Sequence, residues 1–323
     1  MSCQVIISVV IVSYNTRQIT LECLRAVHNN MQDMPFEVWV VDNASTDGSP
    51  AAIQMAFPEV HLIKNKQNIG YGTANNQAMK QARGEFFLLL NSDAFLKQGT
   101  VNSLINYLRQ QPEVAVVAPR IVNPDGSLQL SCFRFQSPLR AWLENLWISS
   151  IFPDHTVLGN YRRWAHDSDR IVDYVIGACM LVRRKAYEQV GKFDEGFFMY
   201  AEESDWQRRM RDKGWKVAFT SSGQVVHLAG ASGEAEKSPK RNGYFYESLD
   251  YYYLKHYGIL GLVSFRLAMM VGCFLRMILW GIVIVCVPKR REMAVSKARL
   301  YSWLVVRQST YWKLDNKRIA GAA

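Results

Sequence analysis

Six cysteines are scattered through this 323-residue chain, at Cys3, Cys23, Cys132, Cys179, Cys273 and Cys286, and no two form a Cys-x-x-Cys pair. That spacing excludes a disulfide framework or a zinc knuckle and leaves reduced, cytosolic thiols as the simplest reading. The opening MSCQVIISVVIVSYN lacks both a basic stretch and a small-residue cleavage site, so it reads as a strand and not as a signal peptide. After that first apolar run, VSYNTRQ carries Arg17 but none of the glycines that a phosphate-cradling loop needs, which argues against a nucleotidyltransferase. There is no internal repeat. Acids are scarce in the last fifth of the chain: residues 256–323 hold 11 basic and 2 acidic side chains, against 9 and 9 in residues 1–120 and 18 and 17 in residues 121–255. Almost all of the net charge of +10 therefore sits at one end. A nucleic-acid binder spreads its basic face over a folded domain. A basic tail behind a long apolar stretch points instead to an anionic membrane surface.

What is present is an alternation of buried strands and helices. Val5–Ser13 is a continuous β-branched run of the kind that is buried on both faces of a sheet. Thr16–Asn30 follows as a helix, with Leu21, Leu24 and Val27 on one face. Further strands are predicted at Phe36–Val41, Val60–Lys64, Phe86–Leu90 and Val114–Ala118. Further helices are predicted at Pro50–Phe57, Tyr71–Ala82 and Thr100–Gln110. This order implies βαβ units and a Rossmann-like, mostly parallel sheet flanked by helices, an α/β nucleotide-binding fold. Ligands of such sheets bind at the carboxyl ends of the strands. Chain order alone gathers three polar loops on that rim: Ser13-Tyr14-Asn15, Asp42 to Ser49, and Asn91-Ser92-Asp93. Residues 121–172 are less regular, Val172–Val182 is apolar, and Gly230–Asn242 has loop composition.

Several of these segments carry chemistry. A carboxylate at Asp93, directly after a buried strand, can hold a hard divalent cation against a diphosphate; it can equally serve as a turn former or helix cap. Asp42 can accept hydrogen bonds from a nucleobase N–H or a ribose hydroxyl, or simply form an Asx-turn with Asp47 beyond it. Phe198-Met199-Tyr200-Ala201-Glu202-Glu203-Ser204-Asp205-Trp206 packs three carboxylates into four residues between aromatics. Mutual repulsion and apolar neighbours raise carboxylate pKa values, which suits a general base; acids are also favoured in a helix's first turn by its dipole. His227, at the end of the strand-like QVVHL, is a metal ligand if a metal is near and a structural residue otherwise.

Taken together, the motifs resemble glycosyltransferase family 2, inverting enzymes of the A-type fold, over roughly residues 5–230. The resemblance rests on VVIVSYN at 9–15, VVDNASTDGS at 40–49, Asn65 to Gly72 with Ala74 and Asn75, LLLNSDA at 88–94, GACMLVRR at 177–184 and GKFDEGFFMYAEESDW at 191–206. It is nearest to the branch that includes rhamnosyltransferases of bacterial surface polysaccharides. The resemblance implies nucleotide and donor contacts at Ser13, Tyr14, Asn15, Asp42, Asn68, Gly70, Asn91 and Arg209. It implies a Mg²⁺ or Mn²⁺ site at Asp93, completed by His227. It also implies a catalytic base at Glu203, with Glu202 or Asp205 able to share or take the role. Two departures stand out. Asn91 replaces the first Asp of the family's DxD, and Glu203 stands where Asp is commoner.

The implied reaction is a single, inverting displacement. A sugar moves from a nucleotide diphosphate (a dTDP-deoxyhexose such as rhamnose, or a UDP- or GDP-hexose) to a hydroxyl of a lipid-linked saccharide, in surface polysaccharide assembly. Residues 1–120 form the nucleotide-sugar half, residues 121–243 the acceptor and catalytic half, and residues 244–323 a helical, basic, membrane-associating region. The alternative of a non-catalytic nucleotide-sugar binder would call for loss of Asp93 or of the acidic cluster, and neither is lost. Leu267–Pro288 is long enough to span a bilayer, with one charge at Arg276. Lys289-Arg290-Arg291 follow, with Tyr301, Trp303, Tyr311 and Trp312 further on. A simple span would carry the basic tail across the membrane, against the positive-inside tendency, and Arg276 disfavours a lipid-buried centre. The expectation is therefore a monotopic or peripheral attachment to the cytoplasmic face of a bacterial inner membrane, the alternative being a buried helical subdomain.

Overall fold

The computed structural model describes residues 5–153, 155, 157–161, 164–228 and 239–310. Most of the expected Gly230–Asn242 loop, and the tail aromatics Tyr311 and Trp312, lie outside these residues. The chain divides into two compact units. One comprises Met1–Phe135 and Trp164–Ser248, the other Gln136–Arg163 and Leu249–Ala323. Residues 136–163, which the sequence reading placed in the catalytic half, thus belong with the C-terminal helices.

The first unit is built on a mixed sheet. Its strands are β1 (Ile7–Ser13), β2 (Phe36–Asp42), β3 (His61–Lys64), β4 (Phe86–Asn91), β5 (Ala94–Leu96), β6 (Val114–Val122), β8 (Arg170–Val172), β10 (Cys179–Arg183) and β11 (Lys216–His227). β7 (Cys132–Phe133) and β9 (Tyr174–Val175) form a small second sheet. Between the strands run α1 (Arg17–Asn30), α2 (Ser49–Ala56), α3 (Tyr71–Gln81), α4 (Thr100–Gln110), α7 (Arg184–Val190) and α8 (Glu202–Asp212). Strand order is β3-β2-β1-β4-β10-β6-β11-β5, with β8 on β11. The β3-β2-β1-β4 half is parallel throughout, as the apolar runs predict. β10 enters antiparallel between β4 and β6, so GACMLVRR does not extend the parallel set of strands. The hydrophobic core lies between β1, β2, β4 and the apolar faces of α1 and α4, where Leu24, Val27, Leu88 and Leu104 are fully or almost fully buried.

In the second unit, α5 (Pro138–Asn145) and α6 (Ile148–Ile151) precede the C-terminal part of α9 (Pro239–Cys286), which is broken at Gly258 (φ 65°, ψ −168°). The first residues of α9 belong to the first unit. A 3-10 turn at Pro288–Arg290 leads into α10 (Arg291–Thr310). Asp250, Arg266 and Arg307 form a buried ion cluster here: Arg266 Nη2 donates to Asp250 Oδ2 at 2.9 Å and Arg307 Nη1 to the same oxygen at 3.5 Å. Removing one partner of such a cluster costs about 3–5 kcal/mol, because a charge is then left buried without its counterion. Arg276, the awkward charge of the apolar stretch, lies over the Trp147 ring at 4.6 Å and donates to the Asn145 carbonyl at 3.3 Å. It is engaged by protein groups, which removes the objection that it would face lipid.

Candidate active site

Register sets the rim. Ser13 pairs with Asp42 across β1 and β2, and Val12 with Asn91 across β1 and β4, so three polar loops leave the sheet at one level. Beside them opens a cavity of about 590 Å³. It is lined by Tyr14, Asn68 and Asn91 from this rim, by Glu202 and Glu203 from the start of α8, and by His227 from the end of β11. These six were all named from the sequence. They come from five separate stretches of the chain.

His227 reaches the rim through long-range pairing. β11 runs antiparallel to β5 with His227 opposite Ala94, and the N–H of Leu228 donates to the Asp93 carbonyl at 3.0 Å. Asp93 is fully buried, and its Oδ1 lies 3.2 Å from His227 Nε2. The other imidazole nitrogen, Nδ1, is 2.7 Å from Gln129 Oε1. An amide oxygen only accepts, so Nδ1 carries the proton there and Nε2 is turned toward the carboxylate. Asn91 Nδ2 lies 3.4 Å from the same Nε2, so carboxylate, imidazole and amide meet at one point. Among the described residues, no three His, Cys, Asp or Glu side chains converge as a ligand cluster.

The acids are delivered by a strained turn. Tyr200 (φ 71°) and Ala201 (φ 64°) are consecutive left-handed residues, neither of them glycine, immediately before α8. Strain of this kind persists only where the surroundings over-determine it. Ser248 Oγ donates to the Met199 carbonyl at 2.7 Å, and the N–H of Tyr71 donates to the Phe198 carbonyl at 3.1 Å. Glu202 is almost wholly buried, and its carboxyl is pushed well above the usual range by burial and then by the neighbouring Glu203. Burial also raises Glu203, opposed by its own N–H and by that of Gly177.

Other predicted residues fall elsewhere. Asp205 is fully buried and does not line the cavity; at about 100° per residue it points some 200° around the helix from Glu203. Its Oδ2 accepts from Arg209 Nε at 2.9 Å, while Arg209 also donates to the carbonyls of Val190 and Lys192 at 3.0 and 2.8 Å. Asp205 and Arg209, expected to act in catalysis and in substrate contact, form a brace between α8 and the Gly191 turn. Ser13 is buried in a hydroxyl cluster with Thr16 (3.2 Å) and Thr20 (3.0 Å), so its side chain is not at the cavity. Asn15, left-handed at φ 53°, ties two loops together, its Oδ1 accepting from the Thr46 N–H at 2.8 Å. Asp42 Oδ2 accepts from the Ser45 N–H at 2.9 Å, but its buried Oδ1 has no hydrogen-bond partner. Gly70 (φ 85°) is there for close approach, since a Cβ on it would lie 2.2 Å from the Phe198 carbonyl oxygen.

The pattern of glycosyl transferase family 2 matches residues 8–191, from β1 to the turn after α7. That is more than half of the chain. It belongs to this family and is a glycosyltransferase. The N-acetylglucosaminyl-diphospho-decaprenol L-rhamnosyltransferase of Mycobacterium tuberculosis is 32% identical over 207 residues, 60% of this chain and 67% of that protein. The poly(ribitol-phosphate) β-N-acetylglucosaminyltransferase TarS of Staphylococcus aureus is 29% identical over 153 residues, 45% of this chain and 26% of that protein. Two solved structures share the fold. One is the mannosyltransferase PcManGT of Pyrobaculum calidifontis in complex with GDP-Man and Mn²⁺ (TM-score 0.52, 17% identity, 95% of this chain and 88% of that one). The other is S. aureus TarS 1–349 (TM-score 0.51, 17% identity, 96% and 94%). The matched family segment ends before α8, so the acids at Glu202 and Glu203 are assigned by the cavity they line and not by that match.

The sequence reading did not single out Gln129, Tyr71 or Gly177 individually as site residues. Gln129 sits in the irregular 121–172 region, where no local pattern marks a residue that meets a histidine 98 positions away.

Proposed function

We propose that this glycosyltransferase works by a single, inverting displacement with Glu203 as base, on a sugar nucleotide seated at the β1–β2–β4 rim. The observation carrying the reading is that Glu203 shares one cavity with Tyr14, Asn68 and Asn91 on the nucleotide side and with His227. Glu203 takes the proton of an acceptor hydroxyl. The hydroxyl oxygen bonds to the anomeric carbon as the bond from that carbon to the diphosphate oxygen breaks, and the nucleoside diphosphate leaves. A raised carboxyl suits this task, since its basicity lies nearer neutral pH. Asp42 Oδ1, buried with an unused acceptor position, fits a nucleobase N–H or ribose hydroxyl. Asp205 and Arg209 hold the helix that carries the base. In this reading residues 1–120 seat the nucleotide, the part of residues 121–243 outside 136–163 supplies acids and acceptor contacts, and residues 244–323 attach the enzyme.

A divalent cation fits the Asp93–His227 pair, where a carboxylate oxygen and an imidazole nitrogen face each other with the imidazole oriented from behind by Gln129. Asp93 and His227 would hold Mg²⁺ or Mn²⁺, with diphosphate oxygens and water filling the other positions, and the ion would neutralise charge on the leaving group. The donor class is best tested by a screen of dTDP-, UDP- and GDP-sugars that reads nucleoside diphosphate release with and without divalent cation. Cation-dependent release from one class supports the reading, and release from none overturns it.

The acceptor in this proposal is a lipid-linked saccharide at the cytoplasmic face of the membrane, in line with the decaprenol-linked substrate in the name of the mycobacterial relative. The segment Gly243–Cys286 is long and apolar enough to cross a bilayer, and only 11% of its most apolar 18-residue window is buried, which disfavours the core helix of a soluble subdomain. Leu267, Val271, Phe274, Ile278, Ile282 and Val285 are exposed at helical spacing and form a single stripe. Lys289, Arg290 and Arg291, all exposed, follow it. A helix lying in the interface with that stripe in the acyl layer and the basic residues at anionic headgroups accounts for both features. Full-length protein should pellet with membranes at low salt and need detergent for release. Recovery in the soluble fraction without detergent would overturn attachment, and release by high salt alone would mean that the basic tail and not the stripe carries it.

A further inference from the structure

Part of the cavity wall is aromatic. Phe198, Met199 and Tyr200 line it, and so does Tyr244 from the first turns of α9, all of them within the first unit. None of the four lies in the matched family segment, which ends at residue 191. Phe198, Tyr200 and Tyr244 are each half-buried, so part of every side chain stays accessible.

The wall is fastened by two separate elements. The N–H of Tyr71, at the start of α3, donates to the Phe198 carbonyl at 3.1 Å, and Gly70 presses against the same oxygen. Ser248 Oγ, from α9, donates to the next carbonyl, that of Met199, at 2.7 Å. With the backbone held in this way, the rings of Phe198 and Tyr244 lie 4.6 Å apart at 42°, and Tyr200 meets Phe245 edge-on at 5.6 Å. Apolar ring surface inside a cavity is wetted at a cost, which a ligand with an apolar face of its own relieves.

Position names the ligand. An acceptor hydroxyl has to come within hydrogen-bond reach of its base, about 3 Å. Phe198 and Tyr200 lie five and three positions before Glu203 in the chain and share its cavity. A sugar whose hydroxyl meets Glu203 there has these aromatic faces to pack on. A pyranose has the matching chemistry, with hydroxyls round its edge and a face of C–H bonds that lies on an aromatic ring. A nucleobase also stacks, but Asp42, the acceptor for its N–H, belongs to the β1–β2 rim. We propose that Tyr244 and Phe198 form the seat of the acceptor's sugar ring, packing on its C–H face with the reacting hydroxyl turned to Glu203. The proposal rests on the reading of Glu203 as base. In it the ring of Tyr244 makes the contact, and its hydroxyl is dispensable.

The test is saturation-transfer NMR on full-length Glu203→Gln, slow enough to hold the sugar nucleotide turned over in the screen. The protein sits in phospholipid nanodiscs, so that no glycoside detergent competes. The probes are butyl glycosides of glucose, N-acetylglucosamine, galactose, mannose and rhamnose. Donor KM and Tm are measured for Tyr244→Ala, Tyr244→Leu and Tyr244→Phe in otherwise wild-type enzyme. At least one glycoside should take up saturation on its ring C–H protons. Adding Tyr244→Ala should weaken that binding about tenfold, the scale of a lost aromatic contact. Tyr244→Leu, which keeps apolar bulk without an aromatic face, should do the same, and Tyr244→Phe should bind as the parent does. Donor KM and Tm should stay near wild type in all three. Absence of ring saturation with every glycoside, saturation confined to the butyl protons, or binding unchanged by Tyr244→Ala and Tyr244→Leu would overturn the proposal. A raised donor KM would move the wall to the donor and overturn it as well. Full turnover by Glu203→Gln would instead overturn the base reading, and the assignment of this wall to the acceptor with it.

Discussion

Glu203→Gln is expected to bind donor normally and to lose about 10²–10⁴-fold in kcat, the contribution typical of a general base. Gln keeps the shape of Glu and can neither take a proton nor carry the charge, so the loss falls on the chemical step and leaves KM for the donor unchanged. The environment supplies a second readout. Glu202 and Glu203 are adjacent, and burial raises both carboxyls. A carboxyl whose pKa is higher folded than unfolded favours the folded state below its unfolded pKa, and that advantage is lost as pH rises through the folded value. At pH 8 the wild-type chain therefore bears the cost of charging this pair, and Glu203→Gln removes part of it. Its Tm should equal or exceed wild type at pH 8, with the difference closing toward pH 4. An enzyme that is slower yet no less stable separates loss of the base from damage to the fold. Should Glu203→Gln turn over normally while Glu202→Gln is inactive, the base is Glu202.

Asp93→Asn is expected to reduce kcat by about 10²-fold or more, in the range seen when one electrostatic stabiliser of a transition state is removed. The same variant should lose most of the activating effect of added Mn²⁺ or Mg²⁺, and exhaustive chelation should silence the wild type. Asp93 is fully buried and its Oδ1 meets His227 Nε2 at 3.2 Å, so Asn fills the same space without the charge that holds a hard cation. Nucleotide-free Tm is the control, because the hydrogen bond from Leu228 to the Asp93 backbone carbonyl survives the change. Turnover unaffected by chelation would sink the assignment of Asp93 and His227. Normal cation dependence in Asp93→Asn would move the ion to other ligands.

One experiment addresses an acid that lines the cavity and the other a buried carboxylate behind its His227, and the residues around them differed in how far they could be read beforehand. The rim residues Tyr14 and Asn91 follow strands that are buried on both faces and hence spelled as apolar runs, VIISVVIVS and FFLLL, each ending in polar turn formers, while Asn68 follows the more exposed β3. Local composition suffices for such elements, and apart from β5, which no apolar run marks, the strands and helices from Ile7 to Val122 fall within a few residues of their predicted bounds. The acidic cluster was visible for the same reason, as three carboxylates in four residues.

Which of those carboxylates faces the cavity was not visible. Glu203 and Asp205 look equivalent in a string of letters, but the helical period turns Asp205 into the protein, onto Arg209. Ser13 belongs to a polar rim loop by composition and to a buried hydroxyl cluster by position. Arg276 reads as a charge stranded in an apolar helix until Trp147 and Asn145, some 130 residues earlier, come to meet it.

By itself, then, the sequence determined the parallel half of the sheet, the level at which its loops emerge, the family and the presence of an acidic cluster, because these depend on runs of neighbouring residues. The tertiary structure decided the pairing of β11 with β5 that brings His227 to Asp93, and the antiparallel entry of β10 beside β4, next to which the Gly177 carbonyl accepts from the Tyr71 hydroxyl. Those depend on contacts between residues about a hundred or more positions apart. Such contacts form only once the apolar runs have collapsed into a sheet, and no local pattern encodes which strand edge a later strand will find.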